Sequence, residues 1–138
     1  MKQIRRKIAW IGMLTFVVFL FGCKSDKLDE HKVKNLEYTV TSEDRLPEEL
    51  KDIVDGKKEQ PFKMTFRDGE YLYICQGYGE QPCGGYSIQV EEVYQTTNAV
   101  YFSSALIGPS QAEERIQMPT YPYIVIKTEY QDMTVVFD

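Results

Sequence analysis

From Phe62 to Phe137 the apolar residues recur largely at every second position, and this period fixes the fold class more tightly than any other feature of the 138-residue chain. Side chains that alternate between two faces build strands, whereas helices need a spacing near 3.6. Phe62-Lys63-Met64-Thr65-Phe66-Arg67 and Glu70-Tyr71-Leu72-Tyr73-Ile74-Cys75 flank Asp68-Gly69, a two-residue hairpin signal. Further strands are expected over residues 85–95, 99–106, 121–127 and 133–137, with a slip in the pattern at Glu91-Glu92 that reads as a bulge. No helix alternates with these strands. The expectation is therefore a mainly β domain, a small antiparallel β-sandwich or barrel, over residues 61–138.

Upstream the period changes. Leu36-Glu37-Tyr38-Thr39-Val40-Thr41 reads as a short first strand, and Leu46, Leu50, Ile53 and Val54 then share one helical face. Pro47 suits a first turn, Glu48 and Glu49 complement the positive end of the helix dipole, and Gly56 suits a left-handed cap. A short amphipathic helix is predicted over 47–55, so that residues 36–60 lead into the β domain. Residues 23–35 mix both charges with few apolar side chains and read as a solvated tether. His31, the chain's one histidine, lies in that tether.

The amino end has the form of an export signal. Lys2, Arg5, Arg6 and Lys7 precede an uncharged, mostly apolar run from Ile8 to Gly22, which is shorter than the roughly 20 residues that span a bilayer. Leu20-Phe21-Gly22-Cys23 resembles the lipobox of bacterial lipoproteins, which implies cleavage after residue 22 and lipid attachment at Cys23. Phe21 stands where a small residue is usual. An uncleaved membrane anchor is the other reading, and both place the domain at the cell membrane, facing outside the cytoplasm. Removing residues 1–22 takes away four of the sixteen basic residues and none of the twenty-one acidic ones, leaving a net charge of −9. Such a surface repels phosphate backbones, so nucleic acid is not an expected partner.

Gly77-Tyr78-Gly79-Glu80-Gln81-Pro82-Cys83-Gly84-Gly85-Tyr86 can continue neither helix nor strand and must form a shaped loop. Cys75 precedes it and Cys83 lies within it. In an exported chain they can form a disulfide or stand as two unpaired thiols, and both readings remain open. The catalytic inventory is thin. Neither cysteine has a histidine to deprotonate it, Ser103 and Ser104 lie in a strand pattern without a base, and Glu48-Glu49, Glu91-Glu92 and Glu113-Glu114 read as solvated surface. No catalytic residue, metal site or cofactor is expected: there is no second histidine, no calcium loop, and the glycine loop opens a strand rather than a helix. Among ten tyrosines, Tyr78 and Tyr86 at the loop and Tyr121 and Tyr123 around Pro122 supply rigid amphipathic area suited to recognition.

Two separated motifs then agree. Cys75-Gln76-Gly77, continuing through Pro82-Cys83-Gly84-Gly85-Tyr86-Ser87-Ile88-Gln89-Val90, and Thr120-Tyr121-Pro122-Tyr123-Ile124-Val125-Ile126-Lys127 resemble the C-terminal domain of the PrcB family. Those are bacterial lipoproteins associated with a surface protease complex. Cys83 replaces the threonine usual in that family. The turn also resembles the binding loop of chagasin-type cysteine protease inhibitors, which are immunoglobulin-like sandwiches. The resemblance implies a non-enzymatic module that binds an exported protease to stabilise or regulate it, through Tyr78, Pro82, Cys83, Gly84, Gly85, Tyr86, Tyr121, Pro122 and Tyr123. The alternative expectation is a cell-wall glycan binder that stacks sugars on Tyr78, Tyr121 and Tyr123.

Overall fold

The structure, a computed structural model, describes residues 28–110 and 117–138. The expected export signal, Cys23 and the polar stretch 111–116 lie outside the described residues. In chain order the strands are β1 (Lys34–Asn35), β2 (Tyr38–Val40), β3 (Pro61–Asp68), β4 (Tyr71–Tyr78), β5 (Ser87–Gln95), β6 (Ala99–Ile107), β7 (Tyr123–Glu129) and β8 (Thr134–Phe137). A 3-10 turn (Glu43–Arg45) and one α-helix, α1 (Glu48–Lys57), separate β2 from β3. The strands form two four-stranded sheets, ordered β1-β5-β6-β8 and β2-β7-β4-β3. The choice between sandwich and barrel thus resolves to a sandwich.

The alternation of the sequence supplies both inner faces. Leu72 and Ile74 of β4 and Ile124 and Ile126 of β7 meet Val93 of β5 and Val100 and Phe102 of β6 in one buried cluster. The opposite face of the β4 and β7 strands is apolar as well. Tyr73, Cys75 and Val125 are buried there beneath Leu46, Leu50 and Val54, with Phe62, Met64, Phe66 and Tyr123 packed around them. The helix therefore makes a third layer, and this is why β4 reads as an almost continuous apolar run. Leu50 and Val54 are fully buried, each worth about 1.5–3 kcal/mol of transfer free energy.

Several details depart from the sequence reading. Pro47 is the residue before the helix, and α1 begins at Glu48. Gly56 does not cap it, since the chain stays right-handed to Lys58, whose N–H bonds the Val54 carbonyl. The β3–β4 hairpin turns on Gly69-Glu70, because Asp68 pairs with Tyr71; Gly69 at φ 60° takes the first central position, as in a type II′ turn. Residues 34–60 are integral to the sandwich rather than a lead-in: β1 pairs with β5, β2 pairs with β7, and the Val33 N–H bonds the Gln95 carbonyl at 2.8 Å. The end of the charged segment is thus sheet, not solvated tether. The sandwich is also not wholly antiparallel, because β8 runs parallel to β6 with Phe102 opposite Phe137. The expected bulge is present, as a register shift between Val90 and Glu92.

Candidate functional site

Three glycines shape the loop that joins the two sheets, each for a different reason. Gly77 is still within β4, opposite Phe62, and a Cβ there would fall inside the Phe62 ring. Its lack of a side chain lets that ring cross the strand. Gly79 adopts φ 76°, and a Cβ would stand 2.8 Å from Pro61 Cδ, so both backbone and space exclude other residues. Gly85 at φ 88° turns the chain into β5. The loop proper is therefore 79–86, shorter than the glycine-rich stretch suggests.

The loop is tied to a second segment far away in sequence. Gln81 and Thr120 exchange both backbone hydrogen bonds, at 2.8 and 3.0 Å. The Thr120 hydroxyl donates to the Cys83 carbonyl at 2.8 Å, and the Tyr78 N–H bonds the Pro122 carbonyl at 3.0 Å. The Glu80 N–H reaches the Glu59 carbonyl at 3.3 Å, and the Gln81 side-chain amide donates back to the Tyr78 carbonyl. Residues 79–86 and 119–123 thus form one braced edge at one end of the sandwich.

Within that edge the expected residues divide. Pro82 and Gly85 are exposed, Gly84 and Tyr86 half-buried, and the Tyr86 ring lies beside Gly108. Tyr121 donates its hydroxyl to Glu80 Oε1 at 3.3 Å; desolvation first, then the Glu80 and Glu59 carboxylates, hold its phenol above the ordinary value. Tyr123 packs against the helix-side cluster, and desolvation with the Glu43 and Asp55 charges raises its phenol too. Tyr121, Pro122 and Tyr123 line a shallow groove of about 320 Å³ with Val40, Thr41, Ser42 and Glu43. Tyr78 belongs elsewhere. Its hydroxyl lies 2.6 Å from Ser104 Oγ, which in turn donates to Gln76 Oε1 at 2.8 Å. Since Ser104 is on β6, this chain of hydrogen bonds staples the two sheets together.

Cys75 and Cys83 are both buried and both free, so the disulfide considered from their spacing is not formed. The backbone explains it. Cys75 sits mid-strand between Met64 and Val125 beneath the helix, whereas Cys83 is held on the loop by Thr120. Burial pushes the Cys75 thiol up to about 12, which keeps it protonated. Thr120, Gln81 and Ser104 are the residues that sequence reasoning gave no role. Their parts depend on contacts across 26 or more residues, which no local pattern signals.

Chemically the edge offers shape, the rings of Tyr86, Tyr121 and Tyr123, and carboxylates. Among the described residues no group of three histidine, cysteine or acidic side chains is placed to hold a metal ion. No helix among them is long and apolar enough to cross a membrane. Residues 72–129 match the family described as PrcB C-terminal, in agreement with the resemblance of the two motifs. The matched span runs from the second residue of β4 to the last residue of β7 and contains both halves of the braced edge. No curated protein and no solved structure matches the chain.

Proposed function

We propose that this chain, whose residues 72–129 are a PrcB C-terminal domain, is an exported, lipid-anchored, non-enzymatic module that binds a protein partner. The partner is an exported protease, which the module stabilises or regulates, and the contact is the edge made by residues 79–86 and 119–123. The bracing of that edge carries the reading. Reciprocal Gln81–Thr120 hydrogen bonds and the Thr120–Cys83 contact fix the loop before any partner arrives, and a preorganised loop loses little entropy on binding. Pro82 and Gly85 stand exposed upon it, with Tyr86 and Tyr121 half-buried beside them. Anchoring rests on the lipobox-like Leu20-Phe21-Gly22-Cys23.

The glycan reading has less support, because Tyr78 is engaged between the sheets, which leaves Tyr121 and Tyr123 on the shallow groove as the remaining rings of the three. Capture of a partner from detergent-solubilised membranes tests the proposal, with the full chain compared with Gly84→Asp and Tyr86→Ala chains. Loss of the captured protease is expected for both. Undiminished capture by variants with native circular dichroism would remove the edge from the function.

A further inference from the structure

The two ends of the sandwich are chemically and topologically unlike. β5 starts at Ser87, directly after the braced loop, and finishes at Gln95, directly before the turn that leads into β6. Nine residues of strand separate the two ends, about 30 Å at the usual rise. The far end also carries the Gly69-Glu70 hairpin turn, since β4 runs from Tyr71 there to Tyr78 at the loop.

The amino-terminal segment is docked at that far end. The Asp29 N–H donates to Asn98 Oδ1 at 2.8 Å, and Asp29 Oδ2 accepts the Thr97 hydroxyl at 2.9 Å. Asp29 Oδ1 also accepts the His31 N–H at 2.9 Å, closing a local turn. Lys32 Nζ then lies 5.8 Å from the centre of the Tyr94 ring, which stacks on Tyr101 with centroids 5.1 Å apart. Val33 bonds Gln95, β1 pairs with Tyr94 and Gln95, and the Leu36 N–H reaches the Val93 carbonyl at 3.0 Å. From Asp29 to Leu36 the chain is therefore fastened step by step to the turn end of β5.

We infer that this docked segment sets the orientation of the domain on its membrane, with the 96–98 turn end toward the bilayer and the 79–86/119–123 edge presented away from it. The inference rests on the anchoring at Cys23 proposed above. Only five residues lie between Cys23 and Asp29, six steps of chain with a reach of at most about 22 Å at full extension. That is shorter than the sandwich, so the domain cannot turn its loop end to the surface while Asp29–Leu36 stays docked. Adsorption does not supply the orientation. Asp68, Glu70, Glu129 and Asp132 stand near the turn end together with Lys32, Lys34 and Arg67, so among the described residues this end carries both signs of charge and no basic patch for anionic headgroups. The partner that fits such an arrangement offers its contact surface well clear of the headgroups, by roughly the length of β5, rather than at the bilayer.

Energy transfer measures the orientation. The full lipid-bearing chain, labelled with a donor at Glu70→Cys or at Pro82→Cys, is placed in vesicles that carry an acceptor-labelled headgroup lipid. Several-fold higher transfer from position 70 than from position 82 is expected. Asp29→Ala combined with Thr97→Ala should reduce that asymmetry by releasing the docked segment. Equal transfer from the two positions, or higher transfer from position 82, overturns the inference. Parent and Cys23→Ser chains expressed in cells fed labelled fatty acid separate the two claims: label on the parent chain alone supports the anchor whatever the transfer shows, and an unlabelled parent, or equal label on both chains, overturns the anchor at Cys23 and the orientation built on it.

Discussion

The two ends of this sandwich are held by different means. At the loop end, backbone groups of three remote segments bond one another: Gln81 with Thr120, Tyr78 with Pro122, Glu80 with Glu59. At the turn end, tight turns close locally. Gly69-Glu70 joins β3 to β4, and Thr96 folds back on Ala99 with its hydroxyl accepting the Ala99 N–H. What joins the turn end from afar is a mixture: backbone bonds from Val33 to Gln95 and from Tyr130 to Glu70, with side-chain contact from Asp29 and Lys32. The loop end is an irregular loop shaped by bonds to remote segments, whereas the turn end consists of tight local turns to which the amino-terminal segment is added.

A pair of glycines tests the contrast most strongly. Gly79→Ala combines positive φ with a collision at Pro61 and should cost about 2–4 kcal/mol in urea denaturation. Gly69→Ala, also at positive φ but with open space around it, should cost about 1–2 kcal/mol. Equal costs would show that the loop end is no more tightly packed than the turn end.

Between the two ends, Cys75 provides a reference. Burial pushes its thiol up to about 12, above the ordinary 9.0 of the unfolded chain, so the unfolded chain loses this proton first as pH rises. Stability from the neutral thiol is complete below pH 9 and declines toward pH 12, by about 2 kcal/mol at pH 10.5. A Cys75→Ala chain, less stable at neutral pH, should lack that portion of the alkaline decline; parallel alkaline declines in both chains would refute the assignment.

Thr120→Val removes the hydroxyl from the Cys83 carbonyl and should cost about 1–2 kcal/mol. Amide exchange at Gln81 should quicken while exchange at Ala99 holds, which separates the ends. The smallest global effect belongs to Asp29→Ala. The His31 N–H and the Thr97 hydroxyl hold the Asp29 carboxyl below its ordinary value of 3.8. The docking contribution is therefore intact above that value and is lost as pH falls through the lower folded one. Exchange at the Val33 amide should rise in Asp29→Ala at pH 7 and in the parent chain only in strong acid.

The sequence told most where structure is local. The helix, the first hairpin and the bulge beside Glu91-Glu92 follow from period and turn chemistry, and the helix limits differ by two residues or fewer. The sorting of strands between sheets was not legible, because Tyr38 pairs with Thr128 and Val100 with Val135 across long intervals. β1 escaped notice because Lys34-Asn35 has no apolar face to reveal it. The candidate edge was half legible. Its glycines announce a loop, but nothing local shows that Ser104, 26 residues away, holds the Tyr78 hydroxyl between the sheets. The likeness to PrcB proteins located both halves of the edge without showing what joins them.

The strand order has a consequence for cooperativity. Sheet membership along the chain runs back and forth: β1 in one sheet, β2 to β4 in the other, β5 and β6 in the first, β7 in the second, β8 in the first again. No contiguous fragment contains one complete sheet without strands of the other. A piece cut to residues 72–129 would keep the candidate loop yet lose β1, β2, β3, β8 and the helix that covers Cys75 and Val125. Melting should therefore occur as one transition across residues 34–137, in which the loop end and the turn end persist or disappear together.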